Sequence, residues 1–266
     1  MPGDEVLAAL LQDPSGGLVA VDFDGTLSPI VARPEDARPV AGAVEALESL
    51  SRRLGGVAIV SGRPAEEVVR VARLSADSGV QVFGHYGLQR WRRGALASPE
   101  PEPGVAVARA RLADILEGAD SGVRVEDKHH SLAVHTRGAS HPGQELEALE
   151  PALESLADAV GLEAVPGRYV IELRPRGTDK GAALRTLVEQ TAARVVIYLG
   201  DDLGDLPAFA AVEALAASGT VAGLKVAVVD PSDDDLPEAV GARADVVLDG
   251  PVAAVAWLSG IAEMLS

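Results

Sequence analysis

A short apolar segment that ends at two aspartates is the feature that most constrains the fold of this chain. Residues 18–21 are Leu-Val-Ala-Val, and Asp22 and Asp24 follow before a Gly-Thr pair. An apolar run of this length, closed by glycine, is typical of a buried strand. Because side chains two apart on a strand share a face, both carboxylates are predicted to lie together at the strand end. In parallel α/β sheets this edge binds ligands, although two acids alone also fit an ordinary solvated strand end.

Further short apolar segments alternate with helical patterns on both sides of the middle of the chain. A helix with Pro39 in its first turn is predicted after the first strand, and further strands are predicted at 57–60 and 80–83. The pattern resumes later with strands at 195–199, 226–229 and 246–248 and a closing helix over about 251–265. Alternating strands and helices predict an α/β fold with a Rossmann-like parallel-sheet core.

The pattern changes in the middle of the chain. Residues 98–104 are rich in proline and glutamate, which is typical of a linker. The segments that follow alternate one helix with two strands, twice, at about 105–117, 123–127, 131–136, 143–159, 162–165 and 169–174. This order predicts an α+β module with its own antiparallel sheet. We therefore predict a catalytic core of residues 1–100 and 176–266 and an inserted αββαββ cap domain of residues 101–175.

The composition excludes several classes of protein. The net charge of −17 argues against a nucleic-acid partner, because phosphate backbones attract basic surfaces. The absence of cysteine excludes disulfides and thiolate metal sites. The first residues lack the basic flank and apolar core of a signal peptide, and no apolar run is long enough to span a membrane. We expect a cytoplasmic protein without nucleic-acid or membrane partners.

Four motifs at predicted strand or helix ends carry chemically useful side chains: Asp22/Asp24, Ser61, Lys180 and Asp201/Asp202/Asp205. Lys180 is one of three lysines among the 23 basic residues, which fits either a local need for a point-charge ammonium or chance. Oxygen ligands without histidine or cysteine favour Mg²⁺ over zinc. Together the motifs fit phosphoryl transfer, in which Asp22 would form an aspartyl-phosphate and Asp24 would protonate the leaving oxygen.

These four motifs, in this order, resemble those of the haloacid dehalogenase superfamily of phosphotransferases, and the inserted module resembles its C2-type cap. The resemblance implies that Asp22 is the nucleophile and Asp24 the general acid/base. It also implies that Ser61 and Lys180 hold the phosphoryl group. The residues that it implies for a Mg²⁺ site are the ligands Asp22, Asp201 and the Asp24 backbone carbonyl, with Asp202 and Asp205 in support.

Further motifs resemble the trehalose-6-phosphate phosphatases. They are Ser61-Gly-Arg63, Gly84-His-Tyr-Gly87, Glu126-Asp-Lys128, Ser131-Leu-Ala-Val-His135-Thr-Arg137 and Gly167-Arg-Tyr-Val-Ile-Glu172-Leu-Arg-Pro175. The substrate-binding residues that this resemblance implies are Arg63, His85, Glu126, Lys128, His135, Arg137 and Glu172. Such a mixture suits a disaccharide, whose hydroxyls both donate and accept hydrogen bonds. From the residues alone, a surface salt bridge between Glu126 and Lys128 and ordinary structural roles for both histidines are alternatives.

The resemblance implies Mg²⁺-dependent hydrolysis of trehalose 6-phosphate, the last step of trehalose biosynthesis, by a monomer acting on a small sugar phosphate. One alternative is another enzyme of the same superfamily: a phosphatase for sucrose or mannosylglycerate phosphates, or a phosphomutase. A receiver-like module that keeps its aspartyl-phosphate as a signal is a third possibility. That role has no evident use for Asp24 or for a large cap.

Overall fold

The computed structural model describes residues 2–31, 33–229 and 238–266. The chain divides into two compact units, Met1–Ser98 with Asp179–Ser266, and Pro99–Thr178. The first unit contains an eight-stranded, mostly parallel sheet, and the second contains a four-stranded antiparallel sheet. The predicted α/β fold class, with a Rossmann-like core and a separate α+β module, is confirmed.

The strands, in chain order, are β1 (Gly17–Val21), β2 (Gly56–Val60), β3 (Gln81–Gly84), β4 (Gln89–Arg92), β5 (Ala95–Ala97), β6 (Arg124–Asp127), β7 (Leu132–His135), β8 (Leu162–Gly167), β9 (Val170–Pro175), β10 (Val195–Gly200), β11 (Ala222–Val229) and β12 (Val246–Asp249). The α-helices are α1 (Pro2–Gln12), α2 (Ala43–Ser51), α3 (Ala65–Ala72), α4 (Pro103–Ile115), α5 (Pro142–Val160), α6 (Lys180–Thr191), α7 (Leu206–Ala217), α8 (Glu238–Arg243) and α9 (Gly250–Met264). None of these helices is both long enough and apolar enough to cross a bilayer.

The strand β1 lies in the middle of the large sheet and is covered on both faces. The strand order is β12-β11-β10-β1-β2-β3-β4-β5, with parallel pairing from β12 to β3 and antiparallel pairing beyond. Val19 and Val21 join the apolar cluster that includes α2, α3 and α9. Leu18 and Ala20 join the cluster formed with α6 and α7. Burial on both faces explains why β1 reads as a continuous apolar run.

The prediction that α2 begins near Pro39 is wrong, because the helix begins at Ala43. The Val40 N–H donates to the Leu27 carbonyl at 2.9 Å, which keeps this part of the chain outside the helix. Gly42 then takes a φ of 87°, a left-handed conformation that glycine adopts without steric cost. The helix therefore starts after this glycine and not at the proline.

Three features of the first unit have no counterpart among the sequence predictions: α1, α8 and the hairpin formed by β4 and β5. The hairpin loop is Arg93-Gly94, with φ values of 49° and 77°. Positive φ at both loop residues is the geometry of a two-residue hairpin turn whose usual sequences are Asn-Gly or Asp-Gly. Arginine in the first position conceals that signal.

The sheet of the second unit has one apolar and one polar face. Its order is β6-β7-β9-β8. Leu132 and Val134 of β7, with Ile171 and Leu173 of β9, pack against α4 and α5 in one apolar cluster. Because side chains alternate along a strand, the residues between them lie on the other face. The polar face therefore carries three of the predicted sugar-binding side chains, those of Glu126, His135 and Glu172.

Candidate active site

The ends of neighbouring parallel strands bring the predicted core residues to one edge of the large sheet. Asp22 follows β1, and its N–H donates to the Leu199 carbonyl of β10 at 2.9 Å. Ser61 follows β2, and its N–H donates to the Phe83 carbonyl of β3 at 2.9 Å. Asp201 follows β10 directly. Because β10, β1 and β2 are adjacent and parallel, these residues share the carboxyl edge, where ligands bind in such sheets.

Lys180 joins two of the predicted acids. It is the first residue of α6, whose start is capped by Asp179 through a 2.6 Å hydrogen bond from the Ala182 N–H. The Lys180 ammonium lies 2.8 Å from Asp22 Oδ1 and 2.8 Å from Asp205 Oδ1. All three side chains are buried. A buried carboxylate is costly unless it is paired, so Lys180 makes the two charges compatible with burial.

Asp205 is held by donors on both of its oxygens. Besides Lys180, the Tyr198 hydroxyl donates to Oδ1 at 2.6 Å. The N–H groups of Asp201 and Asp202 donate to Oδ2 at 3.0 and 3.2 Å. A carboxylate offers about four lone-pair sites, so these four donors fix both the ammonium and the loop that carries Asp201.

The acids at this edge form a compact group of oxygen donors. Oxygen atoms of Asp22, Asp201 and Asp205 all lie within 4.8 Å of one another. Burial raises the pKa of Asp22 to about 8. Burial and the charge of Asp22 raise the pKa of Asp201 well above its usual value. Carboxylates in this situation favour a cation among them, and a donor set of oxygens alone fits a hard ion such as Mg²⁺.

The ammonium at this edge stays charged. Burial alone would lower the pKa of Lys180, but the charges of Asp205 and Asp22 raise it well above the usual lysine value. Lys180 therefore presents a permanent positive charge beside the nucleophile predicted from the sequence.

Gly25, directly after the acid pair, is required by close packing. Its φ is 78°, and a Cβ atom at this position would lie 2.0 Å from Asp201 Oδ2. The next residue, Thr26, donates from its hydroxyl to Asp201 Oδ1 at 3.0 Å. The Gly-Thr pair thus lets the loop after β1 approach Asp201 and hold it.

Asp24 is bound by Arg63, and the two side chains make parallel hydrogen bonds. Arg63 Nε donates to Asp24 Oδ2 at 2.6 Å, and Nη2 donates to Oδ1 at 2.7 Å. Arg63 Nη1 donates to Glu67 at 2.6 Å, and the guanidinium lies 5.7 Å from the centre of the Phe23 ring. The Arg63 N–H also donates to the Ser61 hydroxyl at 3.1 Å. These contacts connect the predicted acid/base to the loop after β2.

The backbone of His85 forms a hydrogen bond with the loop that follows β2. His85 and Tyr86 both have left-handed backbones, with φ values of 47° and 57°. The His85 N–H donates to the Arg63 carbonyl at 2.9 Å, and the Tyr86 N–H donates to the Ser61 carbonyl at 3.0 Å. Left-handed non-glycine residues are strained, and such strain concentrates at functional sites.

In the second unit, the predicted sugar-binding residues form two polar pairs. His135 Nε2 lies 3.0 Å from Glu126 Oε2. The Lys128 ammonium lies 3.4 Å from Glu172 Oε1, and the Ser131 hydroxyl donates to the same oxygen at 2.6 Å. The simple salt bridge between Glu126 and Lys128 considered from the sequence is therefore replaced by two other pairings.

The strand register explains these pairings. Ala133 of β7 lies opposite both Glu126 of β6 and Glu172 of β9, so a small side chain separates two carboxylates on one face. Arg137 lies beyond the end of β7 and is exposed. Among the contacts of the described residues, none joins Arg137 to the two pairs. His129, in the turn after β6, has a φ of 71°.

A family model described as trehalose-phosphatase matches residues 20–236, which include most of both units. The chain belongs to the trehalose-phosphatase family. The family resemblance predicted from the motifs is therefore confirmed.

Relatives of this trehalose-phosphatase family member are longer proteins. It is 36% identical to a trehalose-phosphate phosphatase of Mycolicibacterium paratuberculosis over 265 residues, which cover 93% of this chain and 62% of that protein. It is 38% identical over 207 residues to a Mycobacterium tuberculosis protein described as an uncharacterized glycosyl hydrolase, covering 73% of this chain and 15% of that protein. The chain thus spans less than two thirds of the length of these curated relatives.

A solved structure supports the fold of this trehalose-phosphatase family member. The C-terminal domain of a C. albicans trehalose-6-phosphate phosphatase has a TM-score of 0.79 and 21% sequence identity, covering 97% of this chain and 96% of that chain. At this identity the likeness shows the fold alone.

Sequence reasoning gave no role to several residues that contact predicted site residues within each unit of this trehalose-phosphatase family member. Thr26, Glu67 and Ser131 are polar residues whose partners cannot be read from local patterns. Tyr198 had a usable signal, because it is a tyrosine within the aliphatic run of β10 and a buried hydroxyl needs a hydrogen-bond partner.

Proposed function

We propose that this protein is a Mg²⁺-dependent phosphatase that hydrolyses trehalose 6-phosphate to trehalose and phosphate through an aspartyl-phosphate. The observation that carries the proposal is the buried triangle of Asp22, Lys180 and Asp205, with its two 2.8 Å contacts, beside Asp201. It combines a carboxylate that can attack phosphorus with a permanent positive charge and an oxygen-only cation site. Phosphoryl transfer through an aspartyl-phosphate uses these three components.

The reaction follows from the roles of the chain's own residues. The Asp22 carboxylate attacks phosphorus, the bond from phosphorus to the sugar oxygen breaks, and Asp24 gives that oxygen a proton. Water then attacks the phosphorus, Asp24 takes a proton from the water, and the bond to Asp22 breaks to release phosphate. Ser61 and Lys180 hold the phosphoryl oxygens throughout.

The acids of the first unit supply the cation site in this proposal. Asp22, Asp201 and the backbone carbonyl of Asp24 would hold Mg²⁺, and Asp202 and Asp205 would support them. When bound, the ion offsets the negative charge that gathers on the phosphoryl group.

The polar face of the second unit is proposed to bind the sugar, with Arg63 and His85 assigned to the substrate by the family motifs. The side chains proposed to contact the sugar are Glu126, Lys128, His135, Arg137 and Glu172, of which Arg137 lies beyond the end of β7. What supports this role is their chemistry: acceptors and donors alternate on one sheet face, and sugar hydroxyls can replace the contacts that they make with each other.

The proposal is tested by phosphate release from trehalose 6-phosphate, sucrose phosphate, mannosylglycerate phosphate and a small aryl phosphate. We expect the highest kcat/KM with trehalose 6-phosphate, complete loss of activity in EDTA and recovery with Mg²⁺. A preference for another sugar phosphate would contradict the substrate assignment. Phosphoryl return to a sugar, dependent on an added bisphosphate, would indicate a mutase. Activity that survives thorough chelation would contradict the metal assignment.

Glu172→Gln should separate sugar recognition from chemistry. A hydrogen bond from a charged group is worth roughly 1.5–3 kcal/mol, so kcat/KM for trehalose 6-phosphate should fall about 10- to 100-fold. Hydrolysis of the aryl phosphate, which has no sugar hydroxyls, should change little. Both substrates are measured on the same variant, with the melting temperature checked.

The matched control for Glu172→Gln is Glu163→Gln on the same small sheet. Glu163 accepts a 3.0 Å hydrogen bond from Arg174 and has no assigned role with the sugar. This variant should keep both activities. If Glu172→Gln loses both activities equally while folded, Glu172 is structural.

A further inference from the structure

We propose that Arg63 is a positioning residue that holds the carboxylate of Asp24, and that it does not bind the sugar phosphate as the family motifs imply. The inference rests on the proposed function, because it takes Asp24 as the group that moves protons. It changes the role of one residue of that mechanism and adds Glu67, which the sequence did not single out.

The contact between Arg63 and Asp24 has the geometry of a fixed fork. Two nitrogens of one guanidinium donate to the two oxygens of one carboxylate, at 2.6 and 2.7 Å. Such parallel hydrogen bonds fix the plane of a carboxylate as well as its distance, which a single ammonium cannot do. The rotation of the Asp24 side chain is therefore set by Arg63.

The guanidinium is itself anchored. Glu67, in the first turn of α3, accepts from Nη1 at 2.6 Å, and the Phe23 ring lies 5.7 Å from the guanidinium carbon. The backbone of Arg63 is also bound on both sides, since its N–H donates to the Ser61 hydroxyl and its carbonyl accepts from His85. A side chain held in this way is suited to fixing a neighbour and poorly suited to leaving it for a substrate.

Accessibility agrees with this division of roles. The Arg63 side chain is 12% exposed, whereas that of Asp24 is 32% exposed. Each carboxylate oxygen has a second lone pair beyond the one used by the guanidinium. Asp24 can therefore meet a leaving oxygen or a water molecule while Arg63 stays behind it.

Positioning matters because Asp24 has two tasks in the proposed reaction, first as proton donor and then as proton acceptor. A misplacement of about 1 Å can cost roughly 100-fold in rate. Arg63→Met should accordingly lower kcat about 10- to 100-fold and leave KM for trehalose 6-phosphate nearly unchanged.

The decisive experiment is a double-mutant cycle with an aryl phosphate whose good leaving group keeps slow variants measurable. Arg63→Met is made in the natural chain and in Asp24→Ala. If Arg63 acts through Asp24, it has nothing to position once the carboxylate is gone. The rate of Asp24→Ala should then be unaffected by the second substitution, a non-additivity expected for residues that act as a unit.

Two milder variants cover the case in which Arg63→Met does not fold. Arg63→Lys keeps the charge but not the fork, so it should not restore kcat. Glu67→Gln loosens the anchor and should lower kcat less than Arg63→Met, again only when Asp24 is present. The matched control is Arg194→Met, which removes another arginine–aspartate pair of the same unit, that with Asp13, and should keep kcat.

A change in KM would instead identify Arg63 as a substrate-binding residue. If Arg63→Met raises KM for the sugar phosphate, and does so equally in Asp24→Ala, then Arg63 binds the substrate and the inference is wrong. Phosphatase activity of the natural chain distinguishes this failure from that of the proposed function. Without such activity on any substrate, the proposed function itself fails.

Discussion

Asp22→Asn is expected to abolish phosphate release. An amide is a poor nucleophile, and the substitution also removes a charge from the proposed cation site. Loss of a covalent nucleophile typically costs on the order of 10⁶-fold in kcat. The measurement is a single-turnover assay, combined with mass spectrometry for the phosphoryl adduct that the natural chain should form and the variant should not.

Stability provides the control for Asp22→Asn. Burial raises the pKa of Asp22 to about 8, so the folded metal-free protein holds a proton that the unfolded chain releases above about pH 4. The carboxyl group should therefore cost stability progressively as the pH rises from about 4 to about 8. Lys180 keeps its second partner, Asp205, in the asparagine variant, and this variant lacks the titration of Asp22. In EDTA, its melting temperature should therefore rise relative to that of the natural chain as the pH rises from about 4 to about 8. Substantial Mg²⁺-dependent turnover by this folded variant would contradict the mechanism.

Lys180→Met is expected to lower both activity and stability. The ammonium lies 2.8 Å from each of two buried carboxylates, and removing one partner of a buried pair costs about 3–5 kcal/mol. Loss of a donor to the phosphoryl oxygens should lower kcat a further 10²- to 10³-fold, roughly the effect of removing an oxyanion-hole donor. Urea unfolding gives the first quantity, and kcat under folding conditions gives the second.

Lys225→Met is the matched control for Lys180→Met. Lys225 lies on β11 of the same unit, 12% exposed and 2.8 Å from Glu213. Its loss should lower stability without lowering kcat. If the folded Lys180→Met variant keeps the natural kcat, Lys180 is structural and the proposed phosphoryl site is wrong.

The parallel core could be predicted from the sequence because burial on both faces makes each central strand a continuous apolar run. The sequence patterns that predict these strands are local, and the loops that follow the strands carry the motifs. The start of α2 could not be predicted, because a hydrogen bond between Val40 and the distant Leu27 decides it. The hairpin of β4 and β5 was not predicted, because its turn has an arginine in a left-handed conformation where asparagine or aspartate is usual.

The candidate site also has a part that the sequence could predict and a part that it could not. The order and spacing of the motifs predicted that Asp22, Lys180 and Asp201 lie close together at one edge of the sheet. The roles assigned to these residues stay predictions. The hydrogen-bond partners of the polar side chains could not be predicted from the sequence, because they depend on the register between strands that are far apart in the chain. For this reason Lys128 contacts Glu172, although Glu126 is closer to it in the sequence.

The central position of β1 has a consequence for how the protein is made. β1 lies between β2 and β10, yet Thr26 and its partner Asp201 are 175 residues apart in the chain. Contacts of such high sequence separation form slowly, because a long loop must close first. On the ribosome, β1 can pair with β2 early, but its other edge stays open until β10 has been synthesised. During that interval an apolar strand edge is exposed to other nascent chains, and the candidate active site can form only after β10 has been synthesised.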